Sequence, residues 1–373
     1  MTAGADSPVA VVVAGTGWGA LTHVPALQRT GFEVKALTGT DLARTAARAQ
    51  ASGIPHATTD YAEALALPGV DAVVIATPPS THAELALAAI GSRKHVLCEK
   101  PFATSVDDAI RMRRAAEDAG IVHMVGYEMR WVPHQATMAR ALRDGAVGRP
   151  TFATHLKLNG VLAAPGASVP EWFGRREAFG GWMNAEIQHV VDEVRTSLGE
   201  FARVTAAETS ATDHDWDAAE SFAVHFELTN GLIGVIQSSI GTLGPPVSLV
   251  RVSGTEGTIW VTADNEVMRA AGSSGSERVP PPAWLSEGEE LRAPAGVHGT
   301  STLSRALAAA TRFSRPTQHL ARAFRERILG TGHEPGWPQP PTFADGLLNT
   351  IVHDAVLTSA ATGKTCEVDQ RWA

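Results

Sequence analysis

Short apolar segments alternate with helix-forming segments over the first 126 residues. Val9–Val13, Val70–Ala76, Val96–Cys98 and Ile121–Val125 are apolar or nearly so, with no strict alternation of polar and apolar positions. Such runs are typical of strands that are covered on both faces, as in a parallel sheet. The segments between them carry helix signals, among them Gly120 at an expected helix end. Repeated strand–helix units predict an α/β fold with an N-terminal Rossmann domain, a doubly wound parallel sheet.

The pattern changes after about residue 150. Alternating apolar positions at Phe222–Leu228 lead into Asn230-Gly231 and then the apolar run Leu232–Ile236, which together predict a β-hairpin. Val247–Val252 and Thr258–Val261 predict a second hairpin. Consecutive strands of this kind favour a C-terminal α+β domain with a large, mainly antiparallel sheet. One sheet face should be covered by helices, and we hypothesise that the other packs on a partner subunit in a homodimer or homotetramer.

Composition narrows the range of functions. A chain of 373 residues is long enough for two domains, which we place at 1–128 and 129–373. The net charge of −8 argues against a nucleic-acid-binding protein. Two cysteines exclude a disulfide framework and fit a reducing cytosol. The N-terminus lacks a signal-peptide pattern and no apolar run reaches 18 residues, so we expect a cytoplasmic protein with no membrane partner.

No metal site is predicted. Asp213, Asp215 and Asp217 have the spacing of a calcium loop, but Ala218 and Val224 replace the required Gly and Glu. The 14 histidines show no zinc-like clustering.

A glycine-rich segment follows the first predicted strand. Residues 15–20, Gly-Thr-Gly-Trp-Gly-Ala, lie between a strand and a helix and form a G-x-G-x-x-A motif. Glycine permits the tight turn and lets the backbone approach a pyrophosphate, which the helix N-terminus then faces. A glycine turn without a ligand is the alternative. We take this motif as a dinucleotide site with the contacts Gly15, Gly17, Trp18, Gly19 and Ala20.

The end of the second strand bears on cofactor choice. NAD-binding proteins usually carry Asp or Glu there, but this chain has Thr38-Gly39-Thr40-Asp41. Without a carboxylate a ribose 2′-phosphate is not repelled, and Thr38 and Thr40 can donate hydrogen bonds to it, with Arg44 nearby in sequence. Asp41 is expected only to cap the next helix. The sequence therefore predicts a preference for NADP over NAD.

Three further strands run into polar or aromatic segments, where open α/β sheets bind ligands. The segments are Thr77–His82, Cys98–Phe102 and Gly126–Trp131. With these motifs the chain resembles the glucose–fructose oxidoreductase / inositol dehydrogenase / rhizopine-catabolism (Gfo/Idh/MocA) family of NAD(P)-dependent oxidoreductases. The resemblance rests on the motifs in their order, and it is poor over residues 265–335. The matching motifs are the glycine turn, Thr77-Pro78 with His82, Glu99-Lys100-Pro101, Gly180-Gly181 followed by His189 and Asp192, Ser253-Gly254 with Glu256-Gly257-Thr258, and Thr342–Gly346.

The resemblance implies a role for each matched residue. Lys100 would touch the reacting hydroxyl or carbonyl and help relay its proton, while Glu99 and Pro101 hold it beside the nicotinamide. His189 would be the general acid–base, a role that suits an imidazole near neutral pH. The remaining implied dinucleotide contacts are Thr77, Pro78 and His82, and further candidate substrate contacts are Tyr127, Arg130, Trp131 and Asn184.

One position departs from the family pattern. The family usually has Asp four residues before the catalytic histidine, and this chain has Ala185 there, flanked by Asn184 and Glu186. Residues three and four apart share a helix face, so we expect Glu186 to replace part of the lost function. The alternative is an exposed Glu186 or one that pairs with Arg176 or Arg195.

Together these features predict an NAD(P)-dependent oxidoreductase. It would transfer hydride between the nicotinamide and a secondary carbon of a small polyhydroxylated molecule, such as a sugar, cyclitol or glycoside. Two alternatives stay open: a lyase, epimerase or glycosidase that uses a tightly bound cofactor without net redox change, and a non-catalytic dinucleotide-responsive regulator.

Overall fold

The computed structural model describes residues 8–210, 214–272, 275–286, 299, 301–309, 314–332 and 336–372. The chain forms two compact units, of which the first comprises Met1–Trp131 with Glu287–Leu347 and the second Val132–Ser286 with Leu348–Ala373. The first break lies three residues from the predicted boundary. The sequence-based division differs at 287–347, which it assigned to the C-terminal domain.

A six-stranded parallel sheet forms the centre of the first unit, in the strand order β3-β2-β1-β4-β5-β6. Its strands are β1 Val9–Ala14, β2 Phe32–Thr38, β3 His56–Thr58, β4 Ala72–Ile75, β5 His95–Cys98 and β6 His123–Val125. Every residue of β1 and β4 is buried, as expected for strands covered on both faces. This is the strand order of a dinucleotide-binding Rossmann fold, so the predicted fold class is confirmed for the N-terminal part.

Helices between the strands begin and end at residues with suitable side chains. They are α1 Val24–Arg29, α2 Leu42–Ala51, α3 Tyr61–Leu65, α4 His82–Gly91 and α5 Val106–Ala119. Asp41, Asp60 and Ser105 cap α2, α3 and α5 by accepting a hydrogen bond from the backbone N–H three residues on. Gly120 ends α5 in the left-handed conformation.

Part of the segment 287–347 belongs to the first unit because it buries apolar side chains there. It contains α8 Thr302–Ala309 and α9 Ser314–Leu329, and α10 Phe343–Thr362 begins in it. Phe324 of α9 stacks on Phe32 of β2 with the ring centroids 6.0 Å apart, and Leu320 is fully buried. The poor motif match over 265–335 therefore concealed a helix that completes the core of the first unit.

The second unit is built on a nine-stranded sheet in the order β14-β13-β12-β11-β7-β10-β9-β8-β15. Only β7 and β10 pair in parallel, and the other neighbours are antiparallel. Its strands are β7 Pro150–Leu158, β8 Phe201–Thr209, β9 Ser221–Leu228, β10 Ile233–Ser239, β11 Val247–Gly254, β12 Thr258–Val261, β13 Val267–Ala270, β14 Glu277–Val279 and β15 Cys366–Glu367. Both predicted hairpins, β9–β10 and β11–β12, are present.

The two faces of this sheet have different surroundings. Helix α7, Trp182–Ser197, packs on the face that carries the buried residues Phe222, Val224, Phe226 and Leu228 of β9. Helix α6, Pro133–Arg143, lies beside α7. On the opposite face Phe152, Ile233 and Val247 are 45%, 50% and 41% exposed, and Ile233 pairs directly with Phe152. Helices therefore cover one face, as predicted, and the opposite face exposes apolar side chains.

Cys98 is buried and Cys366 partly exposed, and both are free thiols. Among the described residues, no helix combines the length and the apolar character needed to cross a bilayer.

Candidate active site

The glycine-rich turn connects β1 to a five-residue π-helical turn, Gly19–His23, that leads into α1. Gly15 has φ +115°, and a Cβ there would lie 2.1 Å from the carbonyl oxygen of Ala76, so no other residue fits. Gly19 packs closely, with a Cβ position 3.0 Å from Val13, and Ala20 is fully buried. In the part of the chain that the structure describes, no atom of a neighbouring segment lies within 4 Å of the Cβ position of Gly17. This turn has the geometry a pyrophosphate requires: a tight bend, close helix packing and open space at the second glycine.

The end of β2 lies against this turn, because a Cβ on Gly39 would be 2.6 Å from the Thr16 side chain. Thr38 is buried, whereas Thr40 and Arg44 are exposed, and Arg44 approaches the Thr40 hydroxyl at 3.5 Å. Asp41 caps α2 by accepting the Arg44 N–H at 2.8 Å, as predicted.

A second guanidinium stands one helical turn beyond Arg44. Burial, together with the charge of Arg44, lowers the pKa of Arg48. The segment after β2 is therefore polar, with Arg44 beside Thr40 and Arg48 one turn further along α2.

His82 connects the ends of β4 and β5. Its ring is fully buried, with Nε2 3.0 Å from the Thr77 carbonyl and Nδ1 2.8 Å from the Pro101 carbonyl. Burial lowers the pKa of His82, while the hydrogen bonds to these backbone carbonyls and the charge of Glu99 act in the opposite direction. Any effect on a dinucleotide would pass through the Thr77 and Pro101 segments, since both ring nitrogens face the protein backbone.

Glu99 and Lys100 follow β5 directly, and the Lys100–Pro101 peptide bond is cis. The Glu99 carboxylate is buried and lies 2.7 Å from Nε2 of His23, and it accepts the Lys100 N–H at 3.1 Å. Burial by itself would raise the pKa of Glu99, but the hydrogen bond and charge of His23 and the neighbouring Lys100 hold that pKa below its usual value. Glu99 is therefore an ionised group beside the predicted catalytic lysine.

Tyr127, Arg130 and Trp131, three predicted substrate contacts, are used within the fold of the first unit. Tyr127 and Trp131 are 0% and 1% exposed. Arg130 pairs with Asp345 at 2.8 Å and donates to the Gln339 carbonyl at 2.8 Å. These interactions attach the start of α10 and the residues before it to the segment that follows β6. The motif Thr342–Gly346 therefore lies against the sheet of the first unit.

In the second unit, two glycines allow α7 to begin where it does. A Cβ on Gly180 would lie 2.3 Å from the Phe173 carbonyl, and Gly181 has φ +97°. The first N–H of the helix, on Trp182, donates to the Ala219 carbonyl. His189 lies two turns further along α7 and is 6% exposed.

Asn184 belongs to a buried polar network. Its amide nitrogen donates to the Gly180 carbonyl at 2.7 Å, so its oxygen faces Nε2 of His353, 2.8 Å away on α10. Nε2 therefore carries the proton, and Nδ1 accepts a hydrogen bond from Gln188 at 2.7 Å. Burial lowers the pKa of His353 to about 3, which keeps the ring neutral. Asn184 thus connects α7 to α10, a use that the sequence did not indicate.

Glu186 pairs with a residue that sequence analysis missed, Lys157 of β7. The Glu186 side chain is 6% exposed and that of Lys157 20% exposed, and the ammonium lies 5.7 Å from the Trp182 ring centroid. Neither expected partner is used: Arg176 pairs with Glu208 and Arg195 with Glu200. The sequence gives one indication of this role: Lys157 is a charged residue at a strand position that shares a face with the buried Ala153.

A further acidic group lies on α7 one turn after His189. Glu193 accepts a hydrogen bond from Gln135 of α6 at 3.2 Å. Burial, together with the charge of Asp192, raises the pKa of Glu193 to about 7. Among the described residues, no group of three His, Cys, Asp or Glu side chains could hold a metal ion.

Two family models match the chain. The first is described as an oxidoreductase family with an NAD-binding Rossmann fold and covers residues 9–127. The second, the GFO/IDH/MocA C-terminal domain, covers residues 135–260.

Curated relatives and solved structures agree with this assignment. D-apiose dehydrogenase of Paraburkholderia graminis is 31% identical over 264 residues, 69% of this chain and 68% of the relative. Levoglucosan dehydrogenase of Pseudarthrobacter phenanthrenivorans is 27% identical over 85% of each chain. A structure of levoglucosan dehydrogenase in complex with NADH shares the fold with a TM-score of 0.82 at 24% identity, over 98% of this chain and 100% of the other. The chain therefore belongs to the GFO/IDH/MocA family and is an NAD(P)-dependent oxidoreductase.

Proposed function

We propose that this enzyme interconverts a secondary alcohol and a ketone on a sugar, a cyclitol or a glycoside-like molecule. The observation that carries the proposal is Glu99-Lys100-Pro101 at the carboxyl edge of a sheet that also carries the glycine turn. The two curated relatives named above are dehydrogenases of sugar-like compounds, which supports this substrate class.

The chemistry assigned to the chain's own residues is proton handling. When bound, the nicotinamide supplies or accepts the hydride. Lys100 would donate a hydrogen bond to the substrate oxygen, which stabilises the negative charge that develops there. His189 would accept the hydroxyl proton during oxidation and return it during reduction. The dinucleotide would be held by the glycine turn and by Thr77 and Pro78.

The experiment is a screen of polyols and keto-sugars, followed at the absorbance band of reduced nicotinamide. His189→Ala should lower kcat/KM by about 10²–10⁴, the contribution of proton transfer by a placed side chain, and Lys100→Ala by about 10²–10³, the contribution of one donor to a developing negative charge. Lys94→Ala and His225→Ala are matched controls, because the Lys94 ammonium donates to the Val70 carbonyl and His225 is exposed on β9. Variants within a few-fold of the wild type would show that the assigned roles are wrong. Cofactor that co-purifies and undergoes no net reduction would instead indicate the transient-redox alternative.

We propose that Glu186 helps to orient the substrate or His189, with Lys157 holding its carboxylate. Glu186 lies three residues before His189 on α7, so the two share a side of the helix. Glu186→Gln should then lower kcat/KM tenfold or more. Glu227→Gln is the control, since Glu227 also forms an ion pair across the sheet, with Arg203, at an exposed position. An unchanged kcat/KM for Glu186→Gln would show that α7 works without a carboxylate at this point.

The proposed cofactor is NADP. Thr38 stands where NAD-binding proteins carry an acid, and Arg44 supplies positive charge beside Thr40, just after the end of β2. Fluorescence titration should give tighter binding of NADPH than of NADH, and Thr38→Asp and Arg44→Glu should each reverse the order. Tighter binding of NADH by the wild type would refute this preference.

We also propose that the open sheet face forms a homodimer or homotetramer, since exposed apolar side chains on one face of a sheet are typical of an interface between subunits. Phe152→Lys and Ile233→Lys, which place charges on paired positions of that face, should shift the mass in multi-angle light scattering to that of a monomer. A monomeric wild type would exclude the interface. A cytoplasmic location stays a prediction.

A further inference from the structure

One buried contact in the first unit has no role in the chemistry assigned above. Nε2 of His23, from the turn that leads into α1, lies 2.7 Å from the Glu99 carboxylate that follows β5. The side chains are 1% and 7% exposed. Because an ionised carboxylate has no proton to offer, the hydrogen is on Nε2 and His23 is the donor.

The surroundings leave Glu99 little freedom. Its second carboxylate oxygen accepts the Lys100 N–H at 3.1 Å, and its own N–H donates to the Ile75 carbonyl at 2.8 Å. A Cβ on Gly126 would lie 2.7 Å from one carboxylate oxygen and 3.0 Å from the other, so the backbone after β6 closes the remaining side. The carboxylate is held between the backbone of Gly126, the amide of Lys100 and the side chain of His23.

His23 reaches this position because of the local backbone. The segment Gly19–His23 is a π-helical turn rather than an α-helical one, and the Val24 N–H bonds back to the Gly19 carbonyl. Gly19 packs against β1 without a Cβ, which brings the turn close to the sheet. Single π-helical turns within helices are frequent at functional sites. The same turn that begins with the glycine motif therefore ends with the donor to Glu99.

We propose that His23 is a positioning residue, which acts through Glu99 to hold Lys100 in place relative to the glycine-rich turn. This inference rests on the proposed function only where Lys100 is taken as the catalytic lysine. A buried carboxylate that loses a donor must find another, rotate or take up a proton. Each of these changes alters the group that accepts the Lys100 N–H, so the lysine loses its fixed position while the glycine turn itself is intact.

The test compares His23→Gln with His23→Leu. A glutamine amide nitrogen can occupy roughly the place of Nε2 and restore the donor, whereas leucine has a similar volume and no donor. We expect kcat of the leucine variant to fall tenfold or more, with KM for the polyol and Kd for NADPH within threefold of the wild type. The glutamine variant should recover kcat to within threefold. With a substrate deuterated at the reacting carbon, the isotope effect on kcat should rise in the leucine variant, because a misplaced lysine slows the chemical step.

His95→Leu is the matched structural control. His95 is a half-buried histidine of the same sheet that accepts a backbone hydrogen bond from Val122. The His95→Leu variant should change thermal stability but leave kcat, KM and the isotope effect on kcat at their wild-type values. If the leucine variant at position 23 behaves like this control, or if the glutamine variant is as slow as the leucine variant, the inference is wrong.

A second measurement needs no substrate and so separates this inference from the proposed function. Lys100 and Lys94 are both partly exposed, and the acylation rate of each amine can be measured by mass spectrometry. Release of Lys100 in His23→Leu should accelerate its acylation at least threefold relative to the wild type, with Lys94 unchanged. An unchanged Lys100 rate would overturn the inference, whatever the substrate screen shows. A failed screen with an accelerated Lys100 rate would overturn only the proposed function.

Discussion

Acid should destabilise this protein through a histidine that the fold keeps neutral. His353 lies in the buried network of α7 and α10, donates to Asn184 and accepts from Gln188. Burial lowers its pKa from 6.5 to about 3. As the pH falls below 6.5 the unfolded chain therefore takes up a proton that the folded chain refuses. The free energy of unfolding therefore keeps its full value above about pH 6.5 and decreases progressively as the pH falls towards 3.

The magnitude follows from the two pKa values. At pH 7 both states are mostly neutral, whereas at pH 5 the unfolded histidine is protonated and the folded one is not. At about 1.4 kcal/mol for each pH unit below 6.5, the free energy of unfolding drops by about 2 kcal/mol on this account alone. His155, whose pKa burial lowers to about 4, should contribute a similar amount over the same interval.

The assay is urea unfolding at pH 7 and pH 5, compared between the wild type and His353→Gln. Glutamine can keep a hydrogen bond in the network but cannot titrate. The variant should be less stable at pH 7 and yet lose about 2 kcal/mol less than the wild type between pH 7 and pH 5. His225→Gln, at an exposed position of β9, should show the wild-type pH dependence. An equal loss in the wild type and His353→Gln, to within about 0.5 kcal/mol, would refute the reasoning.

Three other substitutions test the structure directly. Lys157→Met should lower the free energy of unfolding by about 1–3 kcal/mol, because it leaves the Glu186 carboxylate buried without its cation; adding Glu186→Gln should restore part of the loss in the same urea titration. Gly15→Ala should abolish NADPH binding in fluorescence titration, since the Cβ would lie 2.1 Å from a carbonyl oxygen, and a normal Kd would contradict this. Asp41→Ala should cost about 1 kcal/mol of stability through loss of the α2 cap and leave the preference between NADPH and NADH unchanged, whereas a changed preference would show that Asp41 faces the ribose.

Ala185 of α7, which stands where the family usually has Asp, changes the distribution of acidic groups around His189. Ala185 has no carboxylate, and the neighbouring Glu186 is neutralised by Lys157. One turn after His189, burial and Asp192 raise the pKa of Glu193 to about 7. Helix α7 therefore carries acidic groups on either side of the histidine in sequence, in place of the single acid that usually precedes it. The pH dependence of kcat/KM near neutrality would therefore report on the titration of Glu193.

Local patterns along the chain were sufficient to predict most of the fold. Continuous apolar runs and strict alternation distinguish strands covered on two faces from strands covered on one, so the parallel and antiparallel sheets were both predicted correctly. The glycine turn, the Asp41 cap and the hairpin at Asn230-Gly231 were equally readable, because backbone geometry at those points depends on the residues themselves.

The use of polar side chains was decided by the tertiary structure. Asn184 and Arg130 were predicted to contact substrate, which stays a prediction, and their partners within the fold, His353 and Asp345, are more than 160 residues away in sequence. Glu186 was expected to replace part of the function of the missing aspartate, which stays a prediction, and its buried ion-pair partner is Lys157 rather than either arginine of the alternative. The contact between His23 and Glu99 likewise joins residues 76 positions apart. Propensity and periodicity act over a few residues, whereas the partner of a buried charge depends on which distant segments the packing of the core brings beside it, and no local pattern records that.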